Sequence, residues 1–184
     1  MGKANTPYAR TCRPATMQKG ALPDPGVVFD SVMARKKPEK HPNRISSMLF
    51  YLASIIIHDI FRTDRRDYNN SQTSSYLDLS PLYGISDAKQ KGGTGPNGNE
   101  IIGIRTGFDG KLKPDAFSET RVLSFPPGVS VLLIMFNRFH NFVAEQLAMI
   151  NEKNRFPKPQ GEVKQWNQYD EDLFQHGRLV TCGL

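Results

Sequence analysis

Apolar side chains crowd into one stretch in the first third of the chain. Met48, Leu49, Phe50, Leu52, Ile55, Ile56, Ile57, Ile60 and Phe61 stand there with few polar breaks. They occupy nearly every face of a helix, which the pattern predicts from residue 44 to about 63, with Asn43 as its cap. A helix apolar all round belongs in the core of a larger protein. A membrane span needs about 20 apolar residues, so the run reads as a buried helix and no transmembrane segment is expected. A second helical pattern follows Pro126-Pro127-Gly128: Val131, Leu132, Met135, Phe139, Phe142, Val143, Leu147 and Ile150 give one face of a long helix over 129–151. Leu173, Phe174 and Leu179 supply a third helix, capped by Asp170 and running to 184. Its pattern is still apolar at Leu184, which reads as a cut end.

Between these helices the chain is polar and punctuated. Residues 1–30 carry repeated prolines and glycines, the mark of an extended arm lying on a neighbouring surface. Val27 to Ala34 suggest a short helix, and residues 35–43 a charged loop. Ser74 to Gly84 read as a folded loop entering a short helix. Residues 92–99, Gly-Gly-Thr-Gly-Pro-Asn-Gly-Asn, lack the downstream Gly-Lys-Ser/Thr of a phosphate-binding loop. A hairpin is expected around Asp109-Gly110, and a proline-bearing loop over 154–168. The fold class is therefore mainly α, with a long arm and irregular loops: an N-terminal arm and basic loop over 1–43, then a helical region over 44–184.

The 184 residues carry a net charge of +6. Much of it lies in Arg35, Lys36, Lys37, Lys40 and Arg44, partly offset by Glu39. This is a solvated basic loop or a contact for anionic lipid. No nucleic-acid recognition motif accompanies it, so no nucleic-acid partner is expected. The two cysteines, Cys12 and Cys182, form no disulfide framework. With no secretory signal at the start, an intracellular setting is expected, cytoplasmic or peripheral to lipid bodies or membrane.

Two features could carry chemistry. His58 sits late in the first long helix; it is either a core histidine with a satisfied hydrogen bond or a general acid/base beside a buried cofactor. Asp59 follows at once, and about 20 residues later come Ser74, Asp78 and Ser80. Carboxylates, hydroxyls and a backbone carbonyl suit Ca²⁺, which takes about 6–8 oxygens. Helix caps and loop hydrogen bonds would use the same residues.

Several longer motifs carry a family resemblance. Ser54-Ile55-Ile56-Ile57-His58-Asp59-Ile60-Phe61-Arg62-Thr63 resembles the distal-histidine helix of the animal-type haem peroxidase and cyclooxygenase superfamily, and Ser74 to Gly84 resembles its calcium loop. Phe108-Asp109-Gly110-Lys111-Leu112-Lys113, Asn137-Arg138-Phe139-His140-Asn141 and Leu173 to Val180 also match, in the family's order. The branch most similar is the fungal fatty-acid dioxygenases, of the linoleate diol synthase and psi-factor-producing oxygenase type.

The resemblance implies a haem-peroxidase-like helical domain of which residues 44–184 form the distal-histidine part, truncated at the C-terminus. It implies haem b and Ca²⁺ as cofactors, an unsaturated C18 fatty acid and dioxygen as substrates, hydroperoxides for oxylipin synthesis as products, and homo-oligomeric intact relatives. His58 matches the distal histidine that handles the peroxide proton. Ser54 stands near the haem, where the cyclooxygenase-like branch has a glutamine. Asp59, Ser74, Tyr76 through its carbonyl, Asp78 and Ser80 match the calcium ligands. Arg121 stands about one residue from the place of a distal arginine. His140 and His176 match scaffold positions, and residues 92–99 look inserted. The iron-binding proximal histidine and the radical tyrosine match nothing in the sequence. The alternative is a non-catalytic truncated product, or a calcium-binding or interaction fragment.

Overall fold

The computed structural model describes residues 2–13, 20–94 and 100–184. The described residues are about half helical, with two very short sheets. They group into two units: residues 1–8 with 48–184, and residues 9–47. Residues 2–8 belong to the larger of these units. There Thr6–Pro7 (β1) pairs antiparallel with Asn70–Ser71 (β2). Backbone bonds from Asn5 N–H to Ser71 O, and from Ser75 N–H to Gly2 O, extend the attachment.

In the smaller unit Asp24 caps a short helix, Pro25–Val28 (α1), by accepting from the Gly26 and Val27 amides. The helix widens into a π-type turn over Phe29–Met33, and the basic run after it is exposed.

The main unit is built on three helices: Ser47–Ile60 (α2), Pro127–Ile150 (α5) and Val163–Cys182 (α6). Short helices Ser80–Tyr83 (α3) and Asp87–Lys91 (α4) lie between α2 and α5. Helix α5 opens on Pro127, where a missing amide costs nothing, and closes on Asn151 in the left-handed conformation, φ +43°. It packs along α6. The core joins all parts: Ile55 of α2, Leu82 and Tyr83 of α3, Ile104 and Leu112, Val122, Val129 and Leu133 of α5, and Phe174 of α6.

Two expectations change. Helix α6 begins at Val163, seven residues before the expected cap at Asp170. Asp170 is a buried residue inside the helix, accepting from Arg105 and from the Gly110 amide. Helix α2 is not buried all round. Ile55 and Asp59 are buried, whereas Met48, Leu49, Phe50, Ile56, Ile57 and Phe61 are exposed. One face alone meets the core, and Tyr51 on that side fills the space left by the absent side chain of Gly128, where a Cβ would lie 2.1 Å from the ring.

The expected hairpin at Asp109-Gly110 is a tight turn, with φ of +52° and +66°, closed by an Arg105–Leu112 bridge without extended strands. Residues 95–99 of the glycine-rich segment lie outside the described residues. Its flanks, Gly93–Thr94 (β3) and Glu100–Ile101 (β4), pair antiparallel.

Candidate functional site

His58 lies in the last turn of α2. Its Nδ1 is 2.8 Å from the Ser54 carbonyl oxygen. A carbonyl only accepts, so in neutral His58 the proton is on Nδ1 and Nε2 carries a bare lone pair. The Ser54 hydroxyl donates to the Phe50 carbonyl at 2.8 Å. Ser54 therefore fixes His58 through its backbone, not its side chain. Phe50, Ile57 and Phe61 stand on the same helical stripe as His58 and are exposed, so the half-buried imidazole sits on an open apolar face. The histidine is neither enclosed nor saturated with partners.

A bracket formed by the segment before α5 holds the end of α2. Glu119 is 3% exposed and accepts from Arg62 Nη1 at 2.8 Å and Arg121 Nη2 at 2.7 Å. Arg121 also donates to the carbonyls of Phe61, at 3.1 Å, and His58, at 3.2 Å. These are helix-end carbonyls with no partner inside the helix. Arg121 therefore reaches His58 through its backbone; the structure shows no contact with the imidazole nitrogens. Burial alone would raise the Glu119 carboxyl, but hydrogen bonds from Arg121 and the charges of both arginines outweigh it and hold the group below its ordinary value.

The second cluster follows Asp59, which is buried. One carboxylate oxygen accepts from the Leu79 amide at 2.9 Å, the other from the Ser80 amide at 2.6 Å. Leu79 reaches this position at φ +56°, as does Leu77. Leucine rarely adopts the left-handed conformation, which costs about 1–3 kcal/mol and is retained mainly at constrained, often functional sites. The Ser80 hydroxyl faces the Asp59 carbonyl at 3.5 Å, and the Ser74 hydroxyl donates to Asp78 Oδ2 at 3.1 Å. Asp78 Oδ1 is buried without a partner. Burial raises the Asp59 carboxyl, and the neighbouring Asp78 charge adds to the rise against the lowering effect of the Ser80 and Leu79 bonds. Arg178 Nη2 lies 3.7 Å from Asp78 Oδ2. The Tyr76 ring is exposed, and its amide donates to the Ser74 hydroxyl. Asp59, Ser74, Asp78 and Ser80 thus come together. Among the described residues no group of three His, Cys, Asp or Glu side chains could hold a metal. A site here would rest on two carboxylates with hydroxyl and carbonyl oxygens.

The remaining histidines play other parts. His140 is fully buried: its Nδ1 accepts from the Tyr83 hydroxyl at 2.8 Å, and its Nε2–H donates to the Gly110 carbonyl at 2.9 Å. Burial holds it below the ordinary histidine value. Gly177 lies against its ring, so an added Cβ would sit 3.0 Å from Cε1. His176 donates from Nδ1 to the Asp172 carbonyl and packs edge-on against Phe156. No helix among the described residues is long and apolar enough to cross a membrane.

No family model matches the chain. Psi-producing oxygenase A of Aspergillus fumigatus is 60% identical over 185 residues, a match covering 100% of this chain and 16% of the oxygenase. Linoleate diol synthase of Gaeumannomyces graminis is 55% identical, across 100% of this chain and 15% of the synthase. The chain is a homologue of the fungal psi-producing oxygenases and linoleate diol synthases. It spans about one sixth of the length of these relatives, the shares being 16% and 15%. The fold agrees: the crystal structure of Oryza sativa fatty acid alpha-dioxygenase superposes with a TM-score of 0.66 at 18% identity, over 98% of this chain and 34% of that one.

Two carboxyl groups lead to an expected acid response of the fold. Burial would raise the Glu171 carboxyl, but bonds from Gln175, Arg105 and Lys91 carry it down to about 2. Glu119 moves in the same direction. Carboxyls lowered by folding stabilise the native state above their unfolded value, and that stability is lost as pH falls through the folded value. The melting temperature of the chain is therefore expected to fall between about pH 4.5 and 2. Glu171→Gln should flatten the slope in that window, as followed by circular dichroism. A wild-type profile rising on acidification below pH 4.5 would contradict the Glu119 and Glu171 assignments.

Proposed function

We propose that this chain forms the distal side of a haem-dependent fatty-acid dioxygenase, with His58 as its proton-handling base. One observation carries the reading. The Ser54 carbonyl holds the Nδ1 proton, so Nε2 of His58 is a ready proton acceptor on an open apolar face. A planar apolar cofactor suits a face carrying Phe50, Ile57 and Phe61 around a free imidazole nitrogen. Haem would supply the one-electron oxidising chemistry when bound. The chain's own part is narrower. His58 Nε2 would accept the proton of an incoming peroxide and hold it for return, while the Ser54 carbonyl would steady the imidazolium formed meanwhile. Arg121 and Glu119 hold the end of the helix on which this happens. His140 does not fit an iron ligand, because both its ring nitrogens are engaged.

The relatives' names point to linoleate as the substrate class. The proposed overall reaction adds dioxygen to an unsaturated C18 fatty acid, giving a hydroperoxide for oxylipin synthesis. It is tested by replacing the matching segment of the Gaeumannomyces graminis synthase with this chain and following oxygen uptake on linoleate. Retained uptake supports the reading, whereas a folded hybrid without uptake opposes it.

The acidic loop behind His58 is proposed as a calcium site held by Asp59, Ser74, Asp78, Ser80 and the Tyr76 carbonyl. Its fit rests on the partnerless, buried Asp78 Oδ1 and on the neighbouring Asp59 carboxylate. A divalent cation would satisfy the first and relieve the repulsion between the two. A ligand present at 100 times its dissociation constant stabilises a fold by about 2.7 kcal/mol. Saturating Ca²⁺ is therefore expected to raise the melting temperature by several degrees. Mg²⁺, smaller and reluctant to shed water, should do so less. The shift should vanish in Asp78→Asn. No shift with millimolar Ca²⁺ in the wild type would remove the calcium assignment.

A further inference from the structure

We infer that residues 119–125 form a positioning clamp for His58, with Phe125 setting the plane of its ring and Arg121 setting its backbone. The inference rests on the proposed role of His58 as a base and goes beyond it, because neither the ring contact nor the clamp follows from that role.

Two contacts from one short segment converge on His58, and a third ties that segment to the chain just beyond the helix that carries His58. Arg121, in the short 3-10 helix Thr120–Ser124, donates to the His58 carbonyl at 3.2 Å. Phe125, the residue immediately after that helix, meets the His58 ring nearly perpendicularly, with an interplanar angle of 81° and centroids 4.9 Å apart. Glu119, just before it, ties the segment to Arg62, two residues beyond α2. The segment is itself stiffened: the Arg121 amide donates to Glu119 Oε1 at 2.8 Å, and the Ser124 hydroxyl donates to the Arg121 carbonyl at 3.1 Å. Val122 between them is anchored in the core.

The geometry divides the work. A histidine has two side-chain torsions. The Ser54 carbonyl constrains one ring nitrogen but leaves the ring free to swing about that bond. A perpendicular aromatic neighbour removes this freedom, since aromatic pairs prefer edge-to-face geometry at such separations. The Arg121 fork fixes the carbonyl of the same residue and so the direction in which the side chain leaves the helix. With backbone, Nδ1 and ring plane all held, Nε2 points in a single direction. Groups that act on a bound molecule need this kind of support from neighbours that are themselves locked. Phe125 and Arg121 are accordingly positioning residues, acting through His58.

The test is ¹⁵N- and ¹³C-histidine NMR on the 184-residue chain at alkaline pH, without haem or substrate. Its readout therefore does not depend on dioxygenase activity. In the wild type His58 should show one Nδ1–H tautomer, with its carbon-bound ring protons displaced by the Phe125 ring current. Phe125→Leu, at a half-exposed position, should keep the helical circular dichroism. It should also set the ring swinging about the Ser54 bond, read as increased motion in the relaxation of its ring carbons, while the Nδ1–H tautomer persists. Phe125→Tyr should restore the wild-type signature. Arg121→Gln should broaden the same signals, and if that variant unfolds, the Phe125 pair decides. Unchanged relaxation of the His58 ring carbons in folded Phe125→Leu would overturn the clamp and leave residues 119–125 as scaffold. A mobilised His58 ring in Phe125→Leu beside an inactive hybrid synthase would keep the clamp and discard only the dioxygenase reading.

Discussion

Arg105→Ala is expected to destabilise the main unit by about 3–5 kcal/mol, the range for breaking a buried ion pair from one side. The Arg105 side chain is 3% exposed and donates to Asp170 Oδ2 at 2.6 Å and to Glu171 Oε2 at 2.7 Å. Its guanidinium lies 3.9 Å above the Phe174 ring. Asp170 also accepts from the Gly110 amide at 2.7 Å. One cation therefore neutralises the acid that fastens the 105–112 turn to α6. Without it, Asp170 remains buried and unpaired, and the core aromatic Phe174 loses the group stacked on it. Small domains are stable by only about 5–15 kcal/mol, so this one change should remove a large share of the total. Arg105→Lys keeps the charge but loses the fork and the flat stacking face, and should fall between wild type and alanine. Urea unfolding provides the measurement. A loss under about 1 kcal/mol for Arg105→Ala would mean the pair is solvated and the account of this interface is wrong.

What could be read in the sequence was set by how local its cause is. The long helix expected over 129–151 runs Pro127–Ile150, because its apolar period and the preceding prolines act within the segment itself. The start of α6 was misplaced because Asp170 has the chemistry of a cap. Its actual partners, Arg105 and Gly110, lie 65 and 60 residues away in the chain. Helix α2 was expected to be buried on every side, yet the core takes only the side of Tyr51, Ile55 and Asp59.

The candidate site divides in the same way. His58, Asp59, Ser74, Asp78 and Ser80 were singled out by residue type and spacing and given roles by the motif resemblance; in the structure Asp59 bonds the Ser80 amide and Ser74 bonds Asp78. Arg121 was found as a candidate, but its contact is to the carbonyl of His58. Glu119, Arg62 and Phe125 left no local signal, since the Arg62–Glu119 bond joins residues 57 apart and the Arg121–His58 bond residues 63 apart. The left-handed Leu77 and Leu79 were also hidden, because nothing about leucine announces a positive φ.

The second large effect concerns His58 in a working enzyme. General acid–base groups contribute about 10²–10⁴-fold to rate. In the hybrid of this segment with the Gaeumannomyces graminis linoleate diol synthase, His58→Ala should therefore lower linoleate oxygenation by at least about a hundredfold. Helical content and calcium response should stay as they are, because the His58 ring is half exposed and stands outside the Asp59–Ser80 bonds. His58→Gln, which offers a hydrogen bond but no basic nitrogen, should recover little of the rate.

The most direct measurement is oxygen consumption by the hybrid synthase with linoleate and a trace of hydroperoxide, with His58 and with His58→Ala. Sustained uptake is expected in the first and near-background uptake in the second, at equal folded protein. Uptake by the His58→Ala hybrid within about threefold of the unmutated hybrid would contradict the proton-transfer role on which the reading rests.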